Sequence, residues 1–313
     1  MITLVALASA AQQPQIPALG WDWSANQRLY VETEVRLPEL MWVNAEKNRS
    51  ARVIGFQIRA VLDCVATDKS TARKQQVECR FEDIGLVAGG VAGDQGMIVH
   101  ILEEYDALFD EAVLQLMVRD DGRIVDVNLD QVPVRNLRTR SRKESMRLLT
   151  RFLAAGMEVP VSRREGDALW VSNESLLCTL PTTLGTAGGA EIVHQASMSD
   201  GLVEIATNGR GTMSPGESLN TFTCELAAHT MMQPGAGPTE RTWTMRGEPT
   251  PGSPIALGAA GYEYLQRGSL RRLTPEESVD VGETREVIPN TSGPSAIQQW
   301  NTPTTDPMDP AGR

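Results

Sequence analysis

Apolar and polar residues alternate with a period of two over long stretches of this chain, the pattern of strands that bury one face. Residues 29–37 read LYVETEVRL, which places Val31, Thr33, Val35 and Leu37 on one side and Tyr30, Glu32, Glu34 and Arg36 on the other. Residues 52–64 extend the pattern, with Ile54, Phe56, Ile58, Ala60, Leu62 and Cys64 opposed to Val53, Gln57, Arg59 and Asp63, and residues 77–86 follow it. A meander is the simplest arrangement of three such runs. Two further runs, 112–118 and 123–129, flank Asp120-Asp121-Gly122. Asp-Gly between alternating runs predicts a tight hairpin, because both residues tolerate positive φ.

Two segments change period. Over residues 97–109, Ile98, Ile101, Leu102, Tyr105, Leu108 and Phe109 recur at helical spacing with Glu103, Glu104 and Asp106 between them, which predicts a short amphipathic helix. Ser141-Arg-Lys-Glu144 has the form of a capping box and Gly156 offers a stop, so a second helix is expected between them. On it, Met146, Leu148, Leu149, Phe152 and Leu153 cover one arc, while Arg140, Lys143, Arg147 and Arg151 gather near the opposite pole. Residues 38–50 show no clear period and read as a loop or short helix.

Past residue 165 the strand pattern returns at 169–177, 190–198, 202–212, 219–232 and 241–246, and again at 262–270, with Ser199-Asp200-Gly201 and several Gly/Pro clusters as turns. After Thr274 the chain is acidic, then rich in Pro, Thr, Ser and Asn with no apolar stripe, which predicts a mobile tail. The fold class is therefore mainly β (α+β): two antiparallel, strand-rich halves, either one curved sheet or half-barrel or two packed subdomains, with two amphipathic helices in the first half. The expected divisions are 1–20, an N-terminal signal-like segment; 21–165; 166–274; and a polar tail at 275–313.

Composition adds limits. A chain of 313 residues with 41% apolar and 22% charged residues can bury a substantial core. Its 40 acidic against 29 basic residues, a formal charge of -11, argue against a general nucleic-acid binder, which needs an extended basic face. The opening Met1-Ile-Thr-Leu-Val-Ala-Leu-Ala-Ser-Ala-Ala11 resembles the apolar stretch and A-x-A cleavage site of a secretory signal. No apolar run approaches the ~20 residues of a transmembrane helix. Four cysteines, Cys64, Cys79, Cys178 and Cys224, with no C-x-x-C and only three histidines, suit two disulfides better than a zinc site. Cys64 and Cys79 face each other across a polar loop between two predicted strands, so they form the preferred pair, leaving Cys178 with Cys224; export and disulfides support one another.

Motifs for chemistry are sparse. Asp126-Val-Asn128-Leu-Asp130 begins like an EF-hand loop, but Gln131 stands where glycine is needed and Leu137 where a bidentate glutamate is. There is no G-x-S-x-G, no P-loop and no dinucleotide fingerprint, so no cofactor is expected and catalysis is unsupported. His100, His194 and His229 have no diagnostic neighbours and read as structural or surface residues. Seven basic residues fall within 135–151: Arg135, Arg138, Arg140, Arg142, Lys143, Arg147 and Arg151. Clustered guanidinium groups can hold phosphate or carboxylate, whereas the plainer reading is a solvated helix face pairing with the protein's own acids. Trp21, Trp23 and Trp42 are either an aromatic platform for a ligand or anchors of the N-terminal segment.

The Asp-Asp-Gly hairpin, the helix after it, the extended Met157-Glu-Val-Pro160 and Gly166-Asp-Ala-Leu-Trp170 together resemble a broad set of exported, β-rich bacterial envelope proteins of uncharacterised function, over residues 27–274. A remoter similarity is to the curved sheets of periplasmic lipoprotein and lipid carriers. The resemblance implies an architecture rather than an activity. The expected function is non-catalytic: an exported envelope protein, periplasmic or extracellular, that binds an apolar or anionic ligand or a partner protein, with lipid, glycan and envelope protein as candidate partners and Arg140, Lys143, Arg147 and Arg151 as ligand contacts. A structural or assembly subunit is the alternative, and a hydrolase the third reading.

Overall fold

The computed structural model describes residues 16–17, 19–38, 53–69, 74–90, 109, 112–130, 140–159, 166–172, 186–215, 222–251, 264–282 and 285–286. The strands are β1 (Gln27–Pro38), β2 (Val53–Ala66), β3 (Lys74–Gly90), β4 (Val113–Arg119), β5 (Ile124–Asp130), β6 (Leu169–Ser172), β7 (Thr186–Ser199), β8 (Leu202–Pro215), β9 (Phe222–Gln233), β10 (Gly237–Pro249), β11 (Tyr264–Arg272) and β12 (Arg285–Glu286), with one helix, α1 (Arg140–Met157). Eleven strands form one antiparallel sheet in the order β5-β4-β3-β2-β1-β11-β10-β9-β8-β7-β6. The two strand-rich stretches of sequence thus meet at β1 and β11, which pair from Leu29↔Arg272 to Arg36↔Leu265. The described strands do not close into a barrel: β5 and β6 stand at opposite ends of the sheet.

The alternation read from the sequence sets the two faces. Leu29, Val31, Thr33 and Val35 of β1 and Ile58, Ala60, Leu62 and Cys64 of β2 are all buried on the inner face. On β3 the buried positions change parity, from Val77 and Cys79 to Ile84 and Leu86. A bulge accounts for this: Val61 pairs with Asp83 and Leu62 with Phe81, so Glu82 is an extra residue and the apolar phase is restored beyond it. Both predicted tight turns form. Gly122 at φ 75° closes the β4–β5 hairpin with its N–H donating to the Arg119 carbonyl at 2.9 Å. Asp200 and Gly201, at φ 51° and 80°, join β7 to β8 with Ser199 opposite Leu202.

One helix lies among the described residues, not the two expected. Of the segment 97–109 only Phe109 is described, and it is buried in the core against Phe81. Helix α1 packs on β1, β11 and β5, so the first half of the sheet curls around it. Leu149, Phe152, Leu153, Ala154, Ala155 and Met157 are buried there. Gly156 does not act as the stop: the helix runs through it to Met157. A Cβ at Gly156 would lie 2.4 Å from the Trp243 ring, and one at Gly268 of β11 would lie 2.1 Å from the Glu32 carbonyl oxygen and 2.4 Å from the same ring. The two glycines open a slot between helix and sheet that Trp243 of β10 fills.

Chain outside the sheet covers both faces. Ile16 and Leu19 pack on Ala196, Val203, Ile205 and Met232, Trp21 stacks on Trp23 with ring centres 4.0 Å apart, and Trp23 is buried in the main core. This pair anchors the N-terminal segment to the sheet; Trp42 lies outside the described residues. On the outer face, the start of the expected mobile tail is held down. Leu273 and Val281 pack over Val61 and Tyr30, Gly85 leaves room for the Val281 carbonyl, and Arg28 donates to the Thr274 and Glu277 carbonyls. Arg285–Glu286 then pairs in parallel with Val87 and Ala88 of β3, an edge that β4, paired only with Lys74–Arg80, leaves open. Polarity of the segment hid the two apolar residues that dock it.

Candidate functional site

Following the register across the sheet shows where the inner face changes character. One row runs Ala196, Ile205, Thr230, Arg241, Leu270, Val31, Ala60 from β7 to β2. The next runs Trp170, His194, Thr207, Ala228, Trp243, Gly268, Thr33, Ile58 from β6 to β2. Cross-strand neighbours on one face lie about 4.5–5.5 Å apart, so successive residues of each row are neighbours, with the Trp243 ring filling the space over Gly268. The β2–β4 ends of the inner face are apolar. The β7–β10 portion carries His194, Thr207, Thr230 and Arg241, each buried.

His194 is fully buried. Its Nε2 lies 2.9 Å from the Ser172 hydroxyl and its Nδ1 3.0 Å from the Thr207 hydroxyl, and Trp170 stacks on the ring at 5.1 Å. A neutral imidazole has one donor and one acceptor nitrogen, and a hydroxyl serves either, so both tautomers are satisfied. Loss of hydration, reinforced by the positive charge of Arg241, pulls the His194 pKa down to about 4. Serine, histidine and a third hydroxyl in line have the order of a nucleophile, its base and an orienting group. A threonine, however, stands where a carboxylate would stabilise the imidazolium, and an imidazole this weakly basic takes a serine proton poorly near neutral pH. The arrangement ties Ser172 of β6 to β7 and β8 and stacks Trp170 on the ring.

Arg241 is the sharper anomaly. It is 3% exposed, on the same side of β10 as Trp243 and Met245, and its Nε has no hydrogen-bond partner. Among the described residues it makes no hydrogen bond and no ion pair. The Trp243 ring lies 6.0 Å from its guanidinium carbon. Desolvation lowers its pKa to about 10, and the charge of Glu158 opposes that shift, so Arg241 remains a cation at neutral pH. Glu158 is itself buried, directly after α1, and its Oε1 accepts from the Ile124 N–H at 3.3 Å. A buried cation is costly unless paired and hydrogen-bonded.

Further unpartnered donors are buried elsewhere in the protein, and Trp243 lies beside Arg241. The indole N–H groups of Trp21, Trp23, Trp170 and Trp243 are buried without an acceptor, and the Thr33 hydroxyl lacks a partner as well. Buried polar groups are normally satisfied by protein or by water. Here the Nε of one guanidinium and four indole N–H groups are buried without a hydrogen-bond acceptor. Chemically, such a seam suits a molecule bearing oxygen acceptors and negative charge.

Of the residues expected from sequence, Cys64 and Cys79 are direct cross-strand partners and are disulfide-bonded, with Cα atoms 4.0 Å apart. Cys224 is buried on β9, and Cys178 lies outside the described residues. Arg140, Lys143 and Arg147 belong to α1, but their side chains are not among those described; Arg151 is half-buried on the same helix. Arg241 and the His194 cluster were missed as a site. Their signal was an arginine in phase with Trp243 and Met245, and a histidine in phase with Ile192 and Ala196.

No family model matches the chain, and no curated protein matches it. A solved structure described as lipid-protein interactions in lipovitellin aligns with 83% of this chain at 8% identity and a TM-score of 0.46. The alignment covers 26% of that chain. A likeness at that level carries no argument about function. No described helix is long and apolar enough to cross a membrane, which leaves β-strand membrane insertion untouched.

Proposed function

We propose that this chain is an exported, non-catalytic protein of the bacterial cell envelope that holds a ligand against the inner face of its sheet. The observation that carries the reading is Arg241, a buried cation whose Nε has no hydrogen-bond partner and whose charge is offset among the described residues by Glu158 alone, since an incompletely paired buried charge persists where something else completes the pairing. Export rests on the signal-like Met1–Ala11 stretch together with the Cys64–Cys79 disulfide, because disulfides persist in oxidising compartments. Arg140, Lys143, Arg147 and Arg151 would then offer a basic approach for an anionic ligand or a lipid headgroup. Native mass spectrometry of the protein purified from its own host tests this. A bound small molecule of discrete mass is the expected result, and a ligand-free spectrum under gentle conditions overturns it.

A second reading, an assembly subunit, is favoured by β6. This four-residue edge strand carries Leu169 at 64% and Val171 at 55% exposure, and among the described residues only β7 pairs with it. Unguarded apolar edges recruit other strands. Charging the edge with Val171→Lys should dissociate any complex built through it, as read by size-exclusion chromatography of the native assembly; an unchanged elution profile removes that reading.

A further inference from the structure

Resting on the binding role proposed above, we infer that the ligand is an acidic amphiphile, with a carboxylate or phosphate head received by the Arg241 guanidinium and an apolar chain lying along Ile205, Val203 and Met232. A guanidinium presents a planar fork of donors that matches two oxygens of either head group. Arg241 retains an unpartnered Nε. Trp243 occupies the next inward position of the same strand, and its indole N–H lacks an acceptor. The Glu158 carboxylate is felt by Arg241 but leaves the Arg241 Nε and the Trp243 indole N–H without acceptors, so the head must supply oxygen acceptors to meet them; a cationic or purely donor group would leave both unmet.

The apolar part follows from what adjoins the cation. Ile205 and Ala196 share the row of Arg241, and Val203 and Met232 complete a cluster distinct from the main core. Its cover is the segment around Ile16 and Leu19, which has no helix or strand. That segment is tied down by the Gly166 N–H donating to the Ile16 carbonyl at 2.9 Å and the Ala66 N–H donating to the Trp23 carbonyl at 2.8 Å. A cover held mainly by side-chain packing opens at lower cost than a paired strand.

The test uses the full-length protein, freed of co-purified material, with dodecanoate, dodecyl phosphate, dodecan-1-ol and acetate as probes, followed by tryptophan fluorescence and isothermal calorimetry. Dodecanoate or dodecyl phosphate should bind about 10- to 100-fold more tightly than dodecan-1-ol, the range of a charge-assisted hydrogen bond, and acetate should not compete at equal concentration. Arg241→Met should abolish the preference for the acids while keeping the native near-ultraviolet spectrum, and Arg241→Lys, which keeps the charge but loses the fork, should retain part of it. Equal binding of acid and alcohol, or an undiminished preference in Arg241→Met, overturns the inference. Acetate competing as well as dodecanoate would make this a small-anion site and overturns it too. A neutral molecule co-purifying from the host would leave the binding role standing and remove the acidic head, whereas no ligand and no probe binding would remove both.

Discussion

The two halves of the sheet obey the same two-residue alternation and both bury an inner face, yet with different residues. In β1–β4 the inward positions include Leu29, Val31, Val35, Ile58, Ala60, Leu62, Cys64, Val77, Leu86, Leu114 and Leu116, with Gln27 and Thr33 the buried polar ones; in β7–β10 they include His194, Thr207, Thr230 and Arg241. Folding explains the first set, since each buried aliphatic side chain contributes about 1.5–3 kcal/mol. It does not explain the second, where a hydrophobic residue of similar size is generally as stabilising or more so. The difference sets a first half explained by stability alone against a second half whose buried polar residues the proposed ligand would explain.

The largest effect should come from moving the anomaly across the sheet. Val31 and Arg241 lie in one row, separated by Leu270. Val31→Arg should cost at least about 5 kcal/mol, enough to abolish the cooperative thermal transition, because its described inward neighbours Leu29, Ala60 and Leu270 are apolar and cannot pair a second buried cation. Arg241→Met should keep the transition and leave its midpoint unchanged or raised. If both variants melt alike, the two halves do not differ as argued. Next in size is Trp243→Ala. The ring that fills the slot between Gly156 and Gly268 joins the halves through α1, so its removal should cost about 3–5 kcal/mol in urea unfolding. It should also split the single transition into two if the halves have separate stabilities.

Opening the Cys64–Cys79 disulfide comes third. It closes a separation of 15 residues within the first half, so Cys64→Ala with Cys79→Ala should lose about 3 kcal/mol. Hydrogen exchange is expected to quicken in β2–β4 and stay unchanged in β7–β10; uniform loss of protection would show that the halves unfold as one.

Much of the frame was legible in the residues and little of the site. Period-two runs located the strands within a few positions, Asp-Gly marked both tight turns, and the loop between Cys64 and Cys79 indicated their pairing. The end of α1 was misplaced because Gly156 is required by the ring of a residue 87 positions later (243 − 156), and no local pattern records that. Docking of Leu273 and Val281 was hidden for the same reason: two apolar residues in a polar segment become visible only once Val61 and Tyr30 offer them a surface. Arg241 was in plain view as one more charged residue in a strand. Its inward phase is readable, since it lies two and four residues before Trp243 and Met245, but its lack of a partner is a property of the assembled face.

The smallest expected effect tests whether His194 belongs with Arg241. Its folded pKa of about 4 lies below the ordinary 6.5, so the native state holds the imidazole neutral while the unfolded chain takes up a proton first as pH falls. The unfolded state therefore binds more protons between pH 6.5 and 4, and stability rises with pH across that window. The contribution is complete above about pH 6.5 and lost by about pH 4, amounting to roughly 3 kcal/mol. Urea midpoints of the wild type and His194→Gln at pH 7, 5.5 and 4.5 isolate it: the wild type should lose that much more than the variant on acidification, and parallel losses would show an imidazole that titrates normally. Desolvation is the larger cause and the Arg241 charge the second. In Arg241→Met the His194 titration, followed by nuclear magnetic resonance, should therefore move upward but stop short of 6.5. A titration unmoved by that substitution would mean that the two groups do not sense each other, and the polar seam would divide into two unrelated sites.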